Sequence, residues 1–415
     1  MSQHQKPAPT GRRIASTRTG ACLLGSALLV SGIAPAATAN ELLSALSSGT
    51  TSLDARYRYE VVDQDNALDD ARASTLRVRL GYLTGDFHGF DGFIEAEHIT
   101  AIGPENYNST INGVTDRSVV ADPTGTEVNQ AYLRYRGLPG TDVRYGRQRL
   151  ALDNHRFIGT VGWRQNEQTY DAFTLVNTSL ADTTLTAGYL YNVNRIFSDA
   201  SPVGNYSLRA PVVNARYQGL EAGTLSAYGY LLDFTDNETQ STQTYGLRFT
   251  GSSDLNPETA LLYTLEYAYQ ADYESNPGSF DLDYYRLELG LQRAGITGRL
   301  GLEVLGSDGE TAFQTPLATL HAMNGWTDQF LATPVTGLRD AYVSLSGSLA
   351  GVNLMAVYHD FTSDRDSIDY GSELGLQATY PVAPGTVVGI KAASYNADEF
   401  GVDTDKLWLW ANYSF

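Results

Sequence analysis

Arginines recur at a spacing of two along this chain. Arg56 and Arg58 stand in one short stretch, Arg77 and Arg79 in the next; Arg134 and Arg136 precede Arg144, Arg147 and Arg149 across the turn "GLPG". A guanidinium donates two parallel hydrogen bonds to a carboxylate and keeps its charge at any working pH. Alternate residues of a strand share one face, so the pattern reads as a surface that guides or recognises anions. Carboxylates fall in the same kind of position: Glu60, Glu95, Glu97, Glu266, Glu288, Glu303 and Glu373. A plainer reading is therefore open beside the first, in which opposite charges pair within a wet wall.

Other chemistries find little support. Nucleophilic catalysis needs a nucleophile and a base arranged together. The histidines after the N-terminal region are His88, His98, His155, His321 and His359, scattered and without a local catalytic motif. No histidine pair has metal-ligand spacing, and no acidic loop has a calcium-binding spacing. The expectation is no enzyme, no catalytic residue, no metal and no cofactor. The formal charge of −19 argues against nucleic acid as a partner, because backbone affinity needs a basic surface.

The first 39 residues read as a secretory signal peptide. Basic Lys6, Arg12, Arg13 and Arg18 precede the apolar run "ACLLGSALLVSGIA", and small Ala37 and Ala39 stand before Asn40. The run is short against the roughly 20 residues of a spanning helix. Cleavage would remove Cys22, the only cysteine, and four basic residues with no acidic one, taking the formal charge from −19 to about −23. No later stretch has the roughly 18 consecutive apolar residues of a transmembrane helix.

The elements that carry the arginines are strands. In "LDARYRYEVVD" the apolar Leu53, Ala55, Tyr57, Tyr59 and Val61 alternate with Asp54, Arg56, Arg58 and Glu60. In "TLRVRLGY" Leu76, Val78, Leu80 and Tyr82 alternate with Thr75, Arg77, Arg79 and Gly81. The period of two, with full charges on the polar face, continues along the chain and predicts about 18 strands. The 27 tyrosines and 40 glycines suit strands and turns. Short turn-like connections such as "GLPG", "RAG" and "LAG" alternate with connections that are mostly long and polar, notably 100–126, 150–168 and 306–337. That sorting predicts an all-β, up-and-down antiparallel transmembrane barrel with short periplasmic turns and long extracellular loops. The expected organisation is 1–39 signal peptide, 40–52 a short periplasmic segment, and 53–415 the outer-membrane barrel of a Gram-negative bacterium.

The chain ends "DTDKLWLWANYSF". Its alternate residues Leu407, Leu409, Ala411, Tyr413 and Phe415 are apolar, which predicts a last strand that closes the ring against the first. Tyr413 and Phe415 then fall in the periplasmic aromatic girdle. A terminal Phe with an aromatic residue two before it also resembles the assembly signal of Gram-negative outer-membrane barrels, read by their assembly machinery. In a barrel of this size the backbone leaves an aqueous lumen. The loop 306–337 contains Phe313, Leu317, Leu320, Trp326 and Phe330. An exposed apolar loop is a liability, so it is expected to fold into the lumen.

Three stretches carry a resemblance: "ADPTGTEVNQAYLRY", "GRQRLALDNHRFIGTVGWRQNEQTYDAFTLV" and "GSDGETAFQTPLATLHAMNGWTDQFL". They resemble the alginate-export family of outer-membrane porin-like proteins, over about 43–415. The resemblance implies an 18-stranded monomeric barrel with an arginine-lined channel for an anionic polysaccharide, and reaches Arg147, Arg149 and Arg134 residue by residue. The expected function is passive passage of anionic solutes, with an anionic polysaccharide or oligosaccharide such as alginate as the candidate. The expected neighbours are outer-membrane lipids, lipopolysaccharide and the assembly machinery. A general diffusion porin without anion preference, or a structural or adhesive barrel, are the alternatives.

Overall fold

The computed structural model describes residues 36–415. The expected signal peptide therefore lies, up to residue 35, outside the described residues. Helix α1 (Ala36–Ser47) runs through residues 36–39 and most of the expected 40–52 segment. Tyr82 reaches it, donating to the Leu46 carbonyl at 2.7 Å. Among the described residues no helix is long and apolar enough to cross a membrane.

Strands make up the rest of the architecture. They are β1 (Thr50–Gln64), β2 (Ala71–Leu83), β3 (Phe90–Ala101), β4 (Gly125–Tyr135), β5 (Thr141–Gln148), β6 (Thr169–Asn177), β7 (Thr183–Asn194), β8 (Asn205–Leu220) and β9 (Gly223–Phe234). There follow β10 (Thr242–Asn256), β11 (Thr259–Asp272), β12 (Asp281–Arg293), β13 (Ile296–Leu305), β14 (Leu338–Leu349), β15 (Val352–Thr362), β16 (Asp369–Ala383), β17 (Thr386–Ala397) and β18 (Thr404–Ser414). The first begins three residues before the expected position 53. Each strand pairs antiparallel with its neighbour in sequence, and β1 also pairs with β18, so the 18-stranded sheet has no free edge. Closure removes the unpaired ladder that an open sheet would present.

The seam shows how the C-terminus is used. Asp54 opposes Ser414 and the register runs unbroken to Gln64 opposite Thr404. Leu53 and Phe415 exchange both backbone hydrogen bonds, at 3.1 and 3.0 Å. Tyr413 and Phe415 lie exposed on the outer face, with their rings 6.1 Å apart.

Alternation sorts the two faces as the pleat requires. Leu247, Leu265, Leu289 and Leu300 are half or more exposed on the outer face. Arg58, Glu60, Arg77, Arg79, Glu95 and Glu97 are buried on the inner face. Buried charge on the inside and exposed leucine on the outside is the inverse of a water-soluble protein. It is the sorting a barrel needs when lipid covers its outer wall.

Candidate functional site

The lumen is neither an open tube nor uniformly polar. Two long loops, 149–168 and 306–337, fold into it. They divide its wall into a charged arc on β1 to β5 and an apolar surface running from β6 to β17.

The charged arc is a network of pairs. Arg58 pairs with Asp122 and lies 3.3 Å from Glu60. Arg77 pairs with Asp54, and Arg79 with Glu97 and, at 3.3 Å, with Glu167. Asp91 receives both Arg134 at 2.9 Å and Arg136 at 2.8 Å. Arg144 meets Asp142 at 2.9 Å, and Arg149 meets Glu95 at 2.8 Å. Arg56 alone of the nine has no carboxylate within 4.0 Å among the described residues. It donates to Gln165 Oε1 and the Gly162 carbonyl, both at 3.0 Å.

Arg147 does not belong to this arc. Its neighbour on the same face is Tyr145, which is 60% exposed. It lies opposite Ala131 and Asp171, whose own face neighbours Leu133 and Phe173 are 53% and 46% exposed. Arg147 therefore stands on the outer face, paired with Asp171 at 2.9 Å beside Asn192 and Asn194. The reason is parity. Arg144 faces the lumen, and a residue three positions along an unbroken strand points the other way. Arg149 regains the lumen only because β5 has ended at Gln148.

The loop 149–168 crosses the lumen like a strap. At one end Gln165 donates to Thr75 and to the Arg56 carbonyl, while its own N–H donates to Asp122 at 2.9 Å. At the other end Asp153 accepts from Asn214 at 2.6 Å and from Ser226 at 2.8 Å, on β8 and β9. The loop 306–337 lies against the remaining wall. Phe313 and Leu317 are fully buried, Trp326 and Phe330 nearly so, and Leu320 partly. Phe330 stacks on Phe400 at 5.3 Å and touches Phe361 and Tyr370. Glu373 of β16 receives the N–H groups of Trp326 and Thr327 and the Thr327 hydroxyl. Trp326 lies so close to β16 that a Cβ on Gly375 would stand 2.6 Å from its ring.

The two loops also join each other. Gly159 N–H donates to the Leu317 carbonyl at 2.9 Å, and Thr319 N–H to the His155 carbonyl at 3.0 Å. A Cβ on Gly159 would meet Thr319 Oγ1 at 2.3 Å, so the approach requires glycine. Trp163 stacks face to face on His321, 4.8 Å between rings.

Asp328 anchors the centre of the second loop. It accepts from His321 Nδ1 at 2.8 Å, Lys406 at 2.9 Å and Arg164 at 3.2 Å. Burial alone would push its carboxyl up, but Lys406, His321 and Arg164 hold it well below the usual range. Burial pushes the His321 imidazole down to about 3, so it is neutral. A carboxylate can only accept, so Nδ1 carries the proton and Nε2 is free to accept from Lys391 Nζ at 3.1 Å.

Beside the joined loops lies a cavity of about 610 Å³. Arg156, Arg164, Arg195 and Lys406 line it, with Asp328 as the carboxylate, together with the amides Gln168, Gln314 and Gln329. Arg195 stacks over Tyr206 at 4.1 Å and has no carboxylate within 4.0 Å among the described residues. Arg156 is buried, with Glu303 at 3.3 Å and no hydrogen bond from its guanidinium nitrogens. These cations escaped the sequence reading. Arg156 and Arg164 lie in a quoted stretch, but a loop has no periodicity to aim them. Among the described residues no group of three or more His, Cys, Asp and Glu is placed to hold a metal.

A closed 18-stranded ring with lipid-facing leucines, a charged interior and inward-folded loops defines a porin-like outer-membrane channel. The chain belongs to the alginate-export family: the family's sequence model, described as Alginate export, matches residues 49–274, just over half of it. Two of the three stretches that carry the resemblance lie within that match, and the loop 306–337 lies beyond it. No curated protein matches the chain in sequence. In fold it is similar to OccK1 (OpdK) of Pseudomonas aeruginosa, with a TM-score of 0.70 at 17% identity, covering 89% of this chain and 99% of that one. OccAB4 of Acinetobacter baumannii gives 0.69 at 14% identity, covering 89% and 98%. The structure of OpdK with vanillate gives 0.71 at 17% identity, covering 89% and 99%.

Proposed function

We propose that the protein passes small anionic solutes through the outer membrane, and that the preference arises at the loop cavity rather than in the arginine arc. The cavity lining carries this reading. Its four lining cations face one lining carboxylate, Asp328; Arg164 and Arg156 also reach Glu60 and Glu303 behind the lining, and Arg195 has no carboxylate within 4.0 Å among the described residues. On the arc, seven of the eight luminal arginines have a carboxylate partner, and Arg56 does not. Low dielectric between packed loops strengthens the unbalanced charge, and rings of basic side chains select anions in pores. Arg56 and Lys391, both without carboxylate partners, extend the positive side toward the arc.

The joined loops favour a small solute over a polymer. A polysaccharide chain would have to displace contacts that reach β1, β2, β8, β9, β13, β14 and β16 to β18. The vanillate in the OpdK structure is a small carboxylate, which is compatible with this size class. A general porin remains the second reading, favoured by the pairing of the arc.

Reversal potential under a KCl gradient decides between them. Anion preference at low salt, fading as salt screens the field, is the expected result, with Arg195→Gln weakening it. A cation-preferring wild-type channel would sink the anion reading. Glucuronate should interrupt the current at lower concentration than alginate oligomers. We further propose that Tyr413 and Phe415 act as the signal to the assembly machinery, that lipopolysaccharide surrounds the outer-leaflet rim, and that the barrel works as a monomer. Deletion of Phe415 should reduce assembled, heat-modifiable protein in outer-membrane fractions.

A further inference from the structure

All four tryptophans of the chain meet at one place in the lumen, and a lysine stands among them. Lys391 is a mid-strand residue of β17, nearly fully buried, with no carboxylate within 4.0 Å of its ammonium among the described residues. Nζ lies 3.9 Å from the centre of the Trp163 ring, 4.3 Å from Trp326 and 5.7 Å from Trp408. It donates to His321 Nε2 at 3.1 Å. Trp410 closes the group, 5.5 Å from Trp163. Trp163 belongs to the loop 149–168, Trp326 and His321 to the loop 306–337, and Trp408 to the wall.

We propose that Lys391 is the positioning residue of the channel: its ammonium, held in an aromatic cage, fastens both inward loops to the barrel wall and so sets the width of the passage. An unpaired ammonium in so dry a place is unfavourable unless every surrounding group satisfies it. The π faces of tryptophan are the best uncharged partners for a cation, and two of the three come from different loops. Either loop leaving would expose the ammonium to water and undo its contact with the other. One charge therefore couples two segments that are far apart in sequence. The other charged and titratable groups nearby fit the same geometry. Arg58 lies 5.2 Å from the centre of the Trp163 ring, and Asp328 holds His321 in the tautomer that can accept from Lys391. The glycine at 375 gives Trp326 its place against the wall. The chemical class that fits the cage is a primary alkylammonium.

This inference rests on the channel reading, and the experiment separates the two. Lys391→Met keeps the volume and the apolar stem but loses the cation. Lys391→Ala removes the stem as well. Propylammonium supplies the three carbons and the ammonium that the alanine variant lacks, and propanol supplies a neutral body of like size. Because every tryptophan lies in or beside the cage, acrylamide quenching of tryptophan fluorescence reports the cage directly, alongside single-channel conductance. Wild type should be quenched weakly and should ignore propylammonium. Both variants should be quenched at least twofold more strongly and should conduct more, with fluctuating current. Propylammonium, but not propanol, should return the alanine variant toward wild type in both readouts. A methionine variant that matches wild type in quenching and conductance overturns the proposal, as does equal rescue by propanol, which would make the role one of volume. Should the strand variants fail to assemble, Trp326→Leu alters the loop alone, and unchanged conductance there overturns it equally. A wild-type protein that passes no ions removes the channel reading, while the quenching series still decides whether Lys391 fastens the two loops to the wall.

Discussion

The inner wall holds its two loops by opposite means. On β1 to β5 the strap 149–168 is fastened by charge: Glu167 with Arg79, Arg149 with Glu95, Arg164 with Glu60, and Gln165 buried between Thr75 and Arg56. On β6 to β17 the loop 306–337 is fastened mainly by shape: Phe313 and Leu317 enter a continuous apolar cluster, and Phe330 sits among Phe361, Tyr370 and Phe400. The charged side is specific and intolerant, because each partner is needed to make the other bearable. The apolar side is strong but adaptable, because contact area does not depend on one geometry. A loop held mainly by packing can shift and repack; a loop held by buried ion pairs must break them together.

The largest effect should follow from breaking a pair on the charged side. Arg58 is buried to 1% exposure and faces both Asp122 and Glu60. Arg58→Met should lower stability by about 3–5 kcal/mol, since it leaves buried carboxylates uncompensated. The double variant Arg58→Met with Asp122→Asn should recover part of that loss. The heat needed to unfold the barrel on gels measures both, and equal damage from single and double variants would show that the pair is not the cause.

On the apolar side Phe330→Ala should cost about 3 kcal/mol, near the lower end for a buried aromatic residue. The loss should fall on the loop and leave the barrel intact. Conductance should rise while strand content by circular dichroism stays at the wild-type level. A collapse of strand content would mean that the loop supports the wall and not the reverse.

The outer wall provides the next comparison. Leu289 is half exposed on the lipid face of β12, and Gln292 lies on the luminal face near the turn. Leu289→Arg should cost roughly 2–4 kcal/mol near the bilayer midplane, and Gln292→Arg close to nothing. Equal cost in the two would reverse the face assignment of that strand.

What could be read from sequence follows from the same contrast. Strands repeat with a period of two, so all 18 strands and their faces were legible from Leu53 to Phe415. The luminal place of Asp54 and Asp91 follows from parity, and with it the neutralisation of Arg77, Arg134 and Arg136. Parity also rules Arg147 out of the lumen, since it stands three residues from Arg144. Pairing with Asp122 and Glu167 was not legible, because both lie in loops that no period aims. The tryptophan cage had one visible signal: Trp408 and Trp410 occupy the polar face between Lys406 and Asn412. Bulky aromatic residues on the wet side of a strand need something to pack against inside. What they pack against, Trp163 and Trp326, arrives on two loops whose paths only the folded structure supplies.

The smallest expected effect is a dependence on pH at the joint between the two sides, where His321 stacks on Trp163. Its imidazole is pushed down to about 3 by burial, next to the cations Lys391 and Arg164, with Asp328 opposing the shift. In the unfolded or undocked loop the same imidazole would titrate near 6.5. The docked state therefore binds fewer protons than the undocked state between these values. Its stability is complete above about pH 6.5 and declines as pH falls toward 3, by roughly 2 kcal/mol between pH 7 and pH 5. Asp328 does not confuse that window. Its carboxyl is held below the usual range, so the stability it contributes is lost only below about pH 4. An imidazolium at His321 would also face the Lys391 ammonium across the present 3.1 Å contact. The channel should accordingly open more often, or to a higher conductance, at pH 5 than at pH 7. Replacing His321 with Gln, which keeps a neutral amide at the same place, should flatten that response. A response of equal size in the glutamine variant would assign the pH dependence to another group and leave the docking of the loop independent of this histidine.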